Sequence, residues 1–244
     1  MRILVFQHIA CEHPGIFRDF LRADGIPYDA VELDAGERIP SLDGYDALWV
    51  MGGPMDVWEE DQHPWLVAEK QAIREAVWQR KMPYFGLCFG HQLLACALDG
   101  AVGKMAAPEV GILDVDLTEA GRRDPLMQGL APRQQALQWH GAEVTKLPRD
   151  AVVLASSPLC AVQAMRVGDN AYGLQYHVEL TDRTVTEWGE VPAYAKSLDA
   201  TFGAGALPRL EKEAAALMPQ FNAAARQLYE NFMRTTQRGT KAAQ

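Results

Sequence analysis

The sequence predicts an α/β fold in which a doubly wound, mostly parallel sheet carries a β extension and a helical C-terminal segment. Three observations predict it. Strand-like and helix-like segments alternate through residues 1–100, the pattern of a parallel sheet covered on both faces. Between Val102 and His177 short strand-like runs follow one another, separated by Gly, Pro and Asp clusters. From residue 181 onward, apolar side chains recur every third or fourth position, as on one face of a helix.

Arg2–Phe6 reads as the first strand and Gly15–Ala23 as the helix after it. Tyr28–Leu33 is a short second strand. The third, Asp46–Met51 (DALWVM), runs straight into Gly52, Gly53 and Pro54, where a turn must follow. Gln62–Arg80 has helical period through Trp65, Leu66, Ala72, Ile73, Ala76 and Val77. Pro83–Leu87 is a fourth strand and Phe89–Leu98 a second helix, stopped by Asp99-Gly100. Strands are then expected at Ile112–Leu117, Gln134–Trp139, Val152–Ala155, Ala161–Val167 and Ala171–Val178. In the C-terminal helices Leu210, Ala214, Leu217, Phe221, Ala225 and Leu228 share a face, and Pro219 should kink or divide the helix that carries them. The whole, 1–244, reads as a single domain of the flavodoxin-like kind. It divides into an α/β core over 1–180, helices over 181–236 and a frayed tail over 237–244.

Composition narrows the function. The chain is 48% hydrophobic and 23% charged, an ordinary globular balance, and its 244 residues suffice for a sizeable core without disulfide or metal staples. Thirty-two acidic against 23 basic residues give a formal charge of −9, the wrong sign for a sequence-independent nucleic-acid binder or for an anionic membrane surface. The apolar start Ile3–Phe6 is too short for a signal peptide, and the window Pro83–Val102 is too often interrupted to span a bilayer. Cys11, Cys88, Cys96 and Cys160 are irregularly spaced, which reads as reduced thiols in a cytoplasmic protein.

Gly86-Leu87-Cys88-Phe89-Gly90 lies between a predicted strand and a predicted helix, with a glycine two positions either side of a nucleophile. In such an elbow the turn is tight enough to strain the nucleophile's backbone, and a side chain at either glycine would strike neighbouring backbone. Cys88 would then stand at a helix N-terminus, where free N–H groups favour thiolate; the alternative is a buried structural thiol. His177 and Glu179 follow at the end of the last predicted strand, and alternation sends both to one side. His177 could exchange a proton with Cys88 while Glu179 fixes the ring tautomer. Acyl transfer also needs donors for an oxyanion. The Phe89 N–H, directly after the nucleophile, and the N–H of Gly53, in the loop after the third strand, are the candidates.

GLCFGHQ, the upstream MGGP and the downstream YGLQYHVE, taken together, resemble a class I glutamine amidotransferase domain across most of residues 1–180. The resemblance implies that Cys88 attacks the γ-carboxamide of glutamine, with His177 as base and Glu179 as its orienter. Ammonia would leave, and water would hydrolyse the γ-glutamyl thioester. It also implies an oxyanion hole of Gly53 and Phe89, a substrate contact at Gln92, and a Trp139-His140-Gly141 segment that holds the amino-acid end of the substrate. Neither cofactor nor metal is expected. Val178 departs from the Pro usual between His and Glu in the family. With no Gly-rich ATP loop or acceptor-binding region in the sequence, the likeness is to stand-alone, GMP-synthase-like amidotransferase proteins and the related γ-glutamyl peptidases. Three functions follow: a glutaminase passing ammonia to a separate synthetase, a γ-glutamyl peptide or amine hydrolase or transferase, and a silent binding protein.

Other residues invite a second reading. His8, Cys11, Glu12 and His13 share one loop and could suggest a metal site, although lining the pocket suits their place at the sheet edge better. His91, on the same helix as the elbow, should pack rather than act as base. Asp56, Trp58 and Trp65 are expected at a substrate rim.

Overall fold

The computed structural model describes residues 1–242, with side chains described through Thr236. Of the tail expected to fray over 237–244, residues 237–242 continue the last helix and 243–244 lie outside the described residues. In chain order the elements are β1 (Ile3–Gln7), α1 (Phe17–Ala23), β2 (Tyr28–Glu32), β3 (Ala47–Val50), α2 (Trp65–Arg74), β4 (Tyr84–Leu87), α3 (Phe89–Ala97) and β5 (Ala101–Leu117). There follow α4 (Glu119–Arg123), β6 (Arg133–Lys146), β7 (Ala151–Ser156), β8 (Ala164–Val167), β9 (Ala171–Leu174), α5 (Thr184–Gly189), α6 (Pro192–Phe202) and α7 (Leu207–Ala242). A π-helical turn at Glu75–Gln79 ends the long helix expected through Arg80.

All nine strands form one sheet in the order β2-β1-β3-β4-β9-β8-β7-β5-β6. The pairings among β2, β1, β3, β4 and β9 are parallel, and the remaining ones are antiparallel. The β extension thus continues the sheet sideways. Strand alternation sends Ile3 and Val5 to one face and Leu4 and Phe6 to the other. On the first face α1 and the C-terminal half of α7 pack through Phe17, Phe20, Tyr229 and Phe232, the Phe17 ring meeting Trp49 and Phe85 edge-on. Each such aromatic, fully buried, contributes about 1.5–3 kcal/mol of transfer free energy. α2 and α3 cover the second face through Leu66, Ile73, Leu93 and Leu94.

Four expectations need correction. The hairpin of β5 and β6 is far longer than Ile112–Leu117 and Gln134–Trp139, because Gly103, Pro108 and Gly111, which read as turn residues, sit inside the strand, with a register shift between Lys104 and Glu109. The last strand stops at Leu174, and Ala161–Val167 is trimmed to Ala164–Val167. Pro219 does not divide α7. That helix is packed on both sides of the proline, by Leu210, Ala214 and Phe221 in one cluster and by Ala225, Leu228 and Phe232 in another. The first of these is a third core, in which α5, α6 and the start of α7 cover Val110, Leu137 and Trp139 of the hairpin. This packing brings the C-terminal segment over the ends of β4 and β9.

Candidate active site

The parallel strands β1, β3, β4 and β9 end along one edge, and just beyond their ends lie His8, Met51-Gly52, Cys88 and Gln175. Open parallel sheets place their ligands at this edge.

Cys88 occupies the single residue between β4 and α3 with φ 48° and ψ −99°, a conformation that costs a non-glycine residue of order 1–3 kcal/mol. Its N–H donates to the Leu174 carbonyl at 2.7 Å, so β9 fixes the elbow from the side. Both flanking glycines are required. A Cβ on Gly86 would lie 2.6 Å from the Gly90 carbonyl, and one on Gly90 would lie 2.1 Å from the Val50 oxygen. Both obstacles are backbone and cannot swing away. Gly90→Ala should therefore lower stability by about 2–4 kcal/mol, read as a reduced urea midpoint against the parent protein.

His177 lies past the end of β9, so strand alternation is not what aims it. Instead its N–H donates to the Leu137 carbonyl of β6 at 2.9 Å, in an isolated bridge. Its Nδ1 lies 2.7 Å from Glu179 Oε1; a carboxylate accepts, so Nδ1 carries the hydrogen and Nε2 is left to face Cys88. The second oxygen, Oε2, accepts the Val178 N–H at 2.8 Å. Burial by itself would depress the His177 pKa. The charges and hydrogen bonds of Glu179 and Cys88 outweigh it and raise the pKa well above the ordinary imidazole value. For Glu179 the balance is reversed, and its pairing with His177 overcomes burial and lowers its pKa. Trp188 of α5 closes on the His177 ring edge-on at 4.4 Å.

A cavity of about 130 Å³ opens beside Cys88, lined by Gly53, Phe89, Gln92, Trp139, Gly141 and Tyr194, among others. Gly53 and Phe89, expected at the oxyanion hole, and Gln92, Trp139, His140 and Gly141, expected at the substrate, all line this cavity. The N–H groups of Gly53 and Phe89 donate to no protein acceptor among the described residues. Gln92 donates to the Ala142 carbonyl and to Gln175 Oε1, both at 3.2 Å, and Gln175 in turn donates to Cys88 Sγ at 3.5 Å. The amide of Gln92 is thus tied into the wall and ultimately to the sulfur. A larger concavity of about 1330 Å³ lies elsewhere, beside Asp46, Pro83 and Asn170 at the opposite ends of β3, β4 and β9, and contains none of these groups.

The suggested metal loop disperses. His8 bonds the Gly52 carbonyl and Glu69, His13 Nδ1 accepts the Gly15 N–H, and the Cys11 carbonyl accepts from Trp188. Glu12 does reach the site. It accepts the Tyr194 hydroxyl at 2.5 Å and lies with His177 and Glu179 so that one donor atom of each falls within 4.8 Å of the others. Burial raises its pKa to about 7, against the pull of His177 and Tyr194. His91 is fully buried and packs, as expected; burial lowers its pKa to about 3. Asp56 lines the cavity, but Trp58 does not, and Trp65 stacks on His8 instead of forming a rim. Sequence reasoning did not find the roles of Glu69, Gln175 and Tyr194, whose partners are remote in sequence. All four cysteines are free, and no helix among the described residues is long and apolar enough to cross a membrane.

A sulfur, an imidazole held in one tautomer and two open N–H groups around a small cavity can attack and cleave an amide carbonyl. The likeness to known proteins agrees with that chemistry. Residues 18–187 match the family model described as glutamine amidotransferase class-I. The chain is 33% identical over 189 residues to the glutamine amidotransferase-like protein YfeJ of Salmonella typhimurium, covering 76% of this chain and 78% of the relative. It is 32% identical over 154 residues to a subunit of the glutamine-hydrolysing GMP synthase from Sulfolobus acidocaldarius, covering 62% and 77%. A crystal structure of a glutamine amidotransferase from Thermotoga maritima superposes with a TM-score of 0.85 at 28% identity, over 97% of this chain and 98% of that one. With the family match over residues 18–187, the relatives above 30% identity and the shared fold, the chain belongs to the class I glutamine amidotransferase family.

Proposed function

We propose that this protein hydrolyses the side-chain amide of glutamine through a γ-glutamyl thioester on Cys88 and releases ammonia. The observation that carries this reading is the alignment of Cys88, His177 and Glu179 beside two N–H groups without protein acceptors. The Cys88 sulfur bonds to the amide carbon and its proton passes to His177 Nε2. The carbonyl oxygen, now negative, takes hydrogen bonds from Gly53 and Phe89. His177 returns the proton to the nitrogen as the C–N bond breaks, and ammonia departs. Water then adds to the thioester with His177 as base, the C–S bond breaks, and glutamate and the Cys88 thiol are regenerated. Glu179 keeps its charge throughout and holds the ring.

The cavity supports a small substrate. It is small, about 130 Å³, and runs from Cys88 and Gln92 to the Trp139-His140-Gly141 segment. Glutamine asks the site to release only ammonia, whereas a γ-glutamyl peptide releases a whole amino acid or more. The Sulfolobus relative is named as one subunit of a GMP synthase, which supports a separate synthetase as the consumer of the ammonia. The test is turnover of glutamine beside γ-glutamyl peptides and γ-glutamyl amines by the purified protein. Glutamine is expected to give the highest kcat/KM; cleavage of a γ-glutamyl peptide with glutamine untouched would transfer the chain to the hydrolase reading.

A further inference from the structure

An oxyanion hole works only if its donors already point at the reacting carbonyl, and in this chain one of those donors sits on a flexible-looking Gly52-Gly53 turn. Its direction is nevertheless determined. In a trans peptide the C=O and the following N–H point to opposite sides, and no cis bond occurs among the described residues. The Gly52 carbonyl lies 2.8 Å from His8 Nδ1. A carbonyl only accepts, so Nδ1 carries the hydrogen. His8 Nε2 lies 2.8 Å from Glu69 Oε1, and both side chains are completely buried. The ring is stacked on Trp65 with centroids 5.5 Å apart and meets Phe89 edge-on at 4.9 Å, so it is clamped on two sides. With the Gly52 oxygen held by His8, the Gly53 N–H is turned the opposite way, toward the cavity it shares with Cys88 and Phe89. A Cβ on Gly53 would stand 2.6 Å from Met55 Sδ and 3.0 Å from His8 Cβ, so the close approach of ring and turn depends on the glycine.

We propose that His8, held by Glu69, is a positioning residue that locks the Gly52–Gly53 peptide with its N–H turned toward Cys88, so that the oxyanion hole stands preformed without a partner protein. The inference rests on the glutaminase reading above and deepens it, since a preformed hole makes the chain self-sufficient in amide cleavage. Burial would lower the His8 pKa, but Glu69, the Gly52 carbonyl and Glu12 together raise it, which strengthens the donor at Nδ1. Neither His8 nor Glu69 touches the reacting atoms; both act through the peptide.

The experiment compares the parent protein, His8→Ala and His8→Asn in three measurements. These are kcat and KM for glutamine, the rate of Cys88 alkylation by iodoacetamide, and the crystal structure of the turn. The parent should turn over glutamine alone. His8→Ala should lose about 10²-fold or more in kcat with KM little changed, the scale of losing one oxyanion donor. Its alkylation rate should stay at the parent's, and its Gly52 carbonyl should rotate away from the position facing residue 8. His8→Asn, whose side-chain amide can donate to the same carbonyl, should recover most of the activity. An unchanged kcat in His8→Ala overturns the proposal, as does an equal loss in both variants matched by slower alkylation, since that is general damage to the site. If the parent is idle on every γ-glutamyl amide yet Cys88 is alkylated by a glutamine-mimicking electrophile, the preformed hole is overturned and the glutaminase reading stands; if it is idle and Cys88 is not labelled, the glutaminase reading fails by itself. The lock is then judged by the crystal structure of His8→Ala, in which an unmoved Gly52 carbonyl overturns it.

Discussion

Cys88→Ala should abolish the acyl-enzyme and lower glutamine turnover by roughly 10⁴-fold or more, the scale seen when a hydrolase loses the nucleophile of an acyl intermediate. The fold should survive. Cys88 is buried, but it contributes one sulfur at the edge of a cavity, and its strained φ of 48° is imposed by the strand-helix turn around it and not by its side chain. Alanine accepts that conformation no more readily than cysteine does, so the substitution changes the chemistry and leaves the backbone cost as it was. Ammonia release measured beside the urea midpoint separates the two effects. Unchanged turnover would remove Cys88 from the reaction.

Glu179→Gln is expected to lower kcat by about 10²–10⁴-fold while the protein stays folded, and the reason is the geometry of two hydrogen bonds. Oε2 accepts the Val178 N–H at 2.8 Å, while Oε1 accepts from His177 Nδ1 at 2.7 Å. A glutamine there can keep only one acceptor oxygen. If it stays on the Val178 N–H, the NH₂ group faces His177 and forces Nδ1 to accept, which moves the ring hydrogen to Nε2. The imidazole then presents a donor to Cys88 and cannot take its proton. Loss of the anion also removes the largest charge that raises the His177 pKa. The variant should therefore show the loss in kcat at every pH where the parent is active, together with a shift of the pH-rate profile. A profile that coincides with the parent's in height and position would contradict the assigned roles.

The elbow is readable because its constraints are local: a residue forced to positive φ between a strand and a helix needs small neighbours, and Gly86 and Gly90 declare that within five residues. His177 and Glu179 are readable by type and spacing, although strand alternation does not account for their shared side. The strand ends at Leu174, and it is the bond to the Leu137 carbonyl that holds His177 in place. What the sequence conceals are pairings between distant segments. His8 and Glu69 are 61 positions apart and Glu12 and Tyr194 are 182 apart, and no periodicity connects them. His8 resembles a metal ligand in the sequence because histidine, cysteine and glutamate share a loop, whereas packing sends each side chain to a different partner. The long arms of β5 and β6 are hidden for another reason, since Gly and Pro inside an exposed strand carry the same signal as a turn.

The central claim is that Cys88 carries a γ-glutamyl group during turnover, and the most direct measurement is the intact mass of the protein quenched in acid while it hydrolyses glutamine. The account predicts a population heavier by one γ-glutamyl group, located at Cys88 by peptide mapping, absent in Cys88→Ala and enriched when water attack is slowed. Glutamine consumed at a steady rate with no adduct on Cys88 under any quench, or with the adduct on another residue, would contradict it.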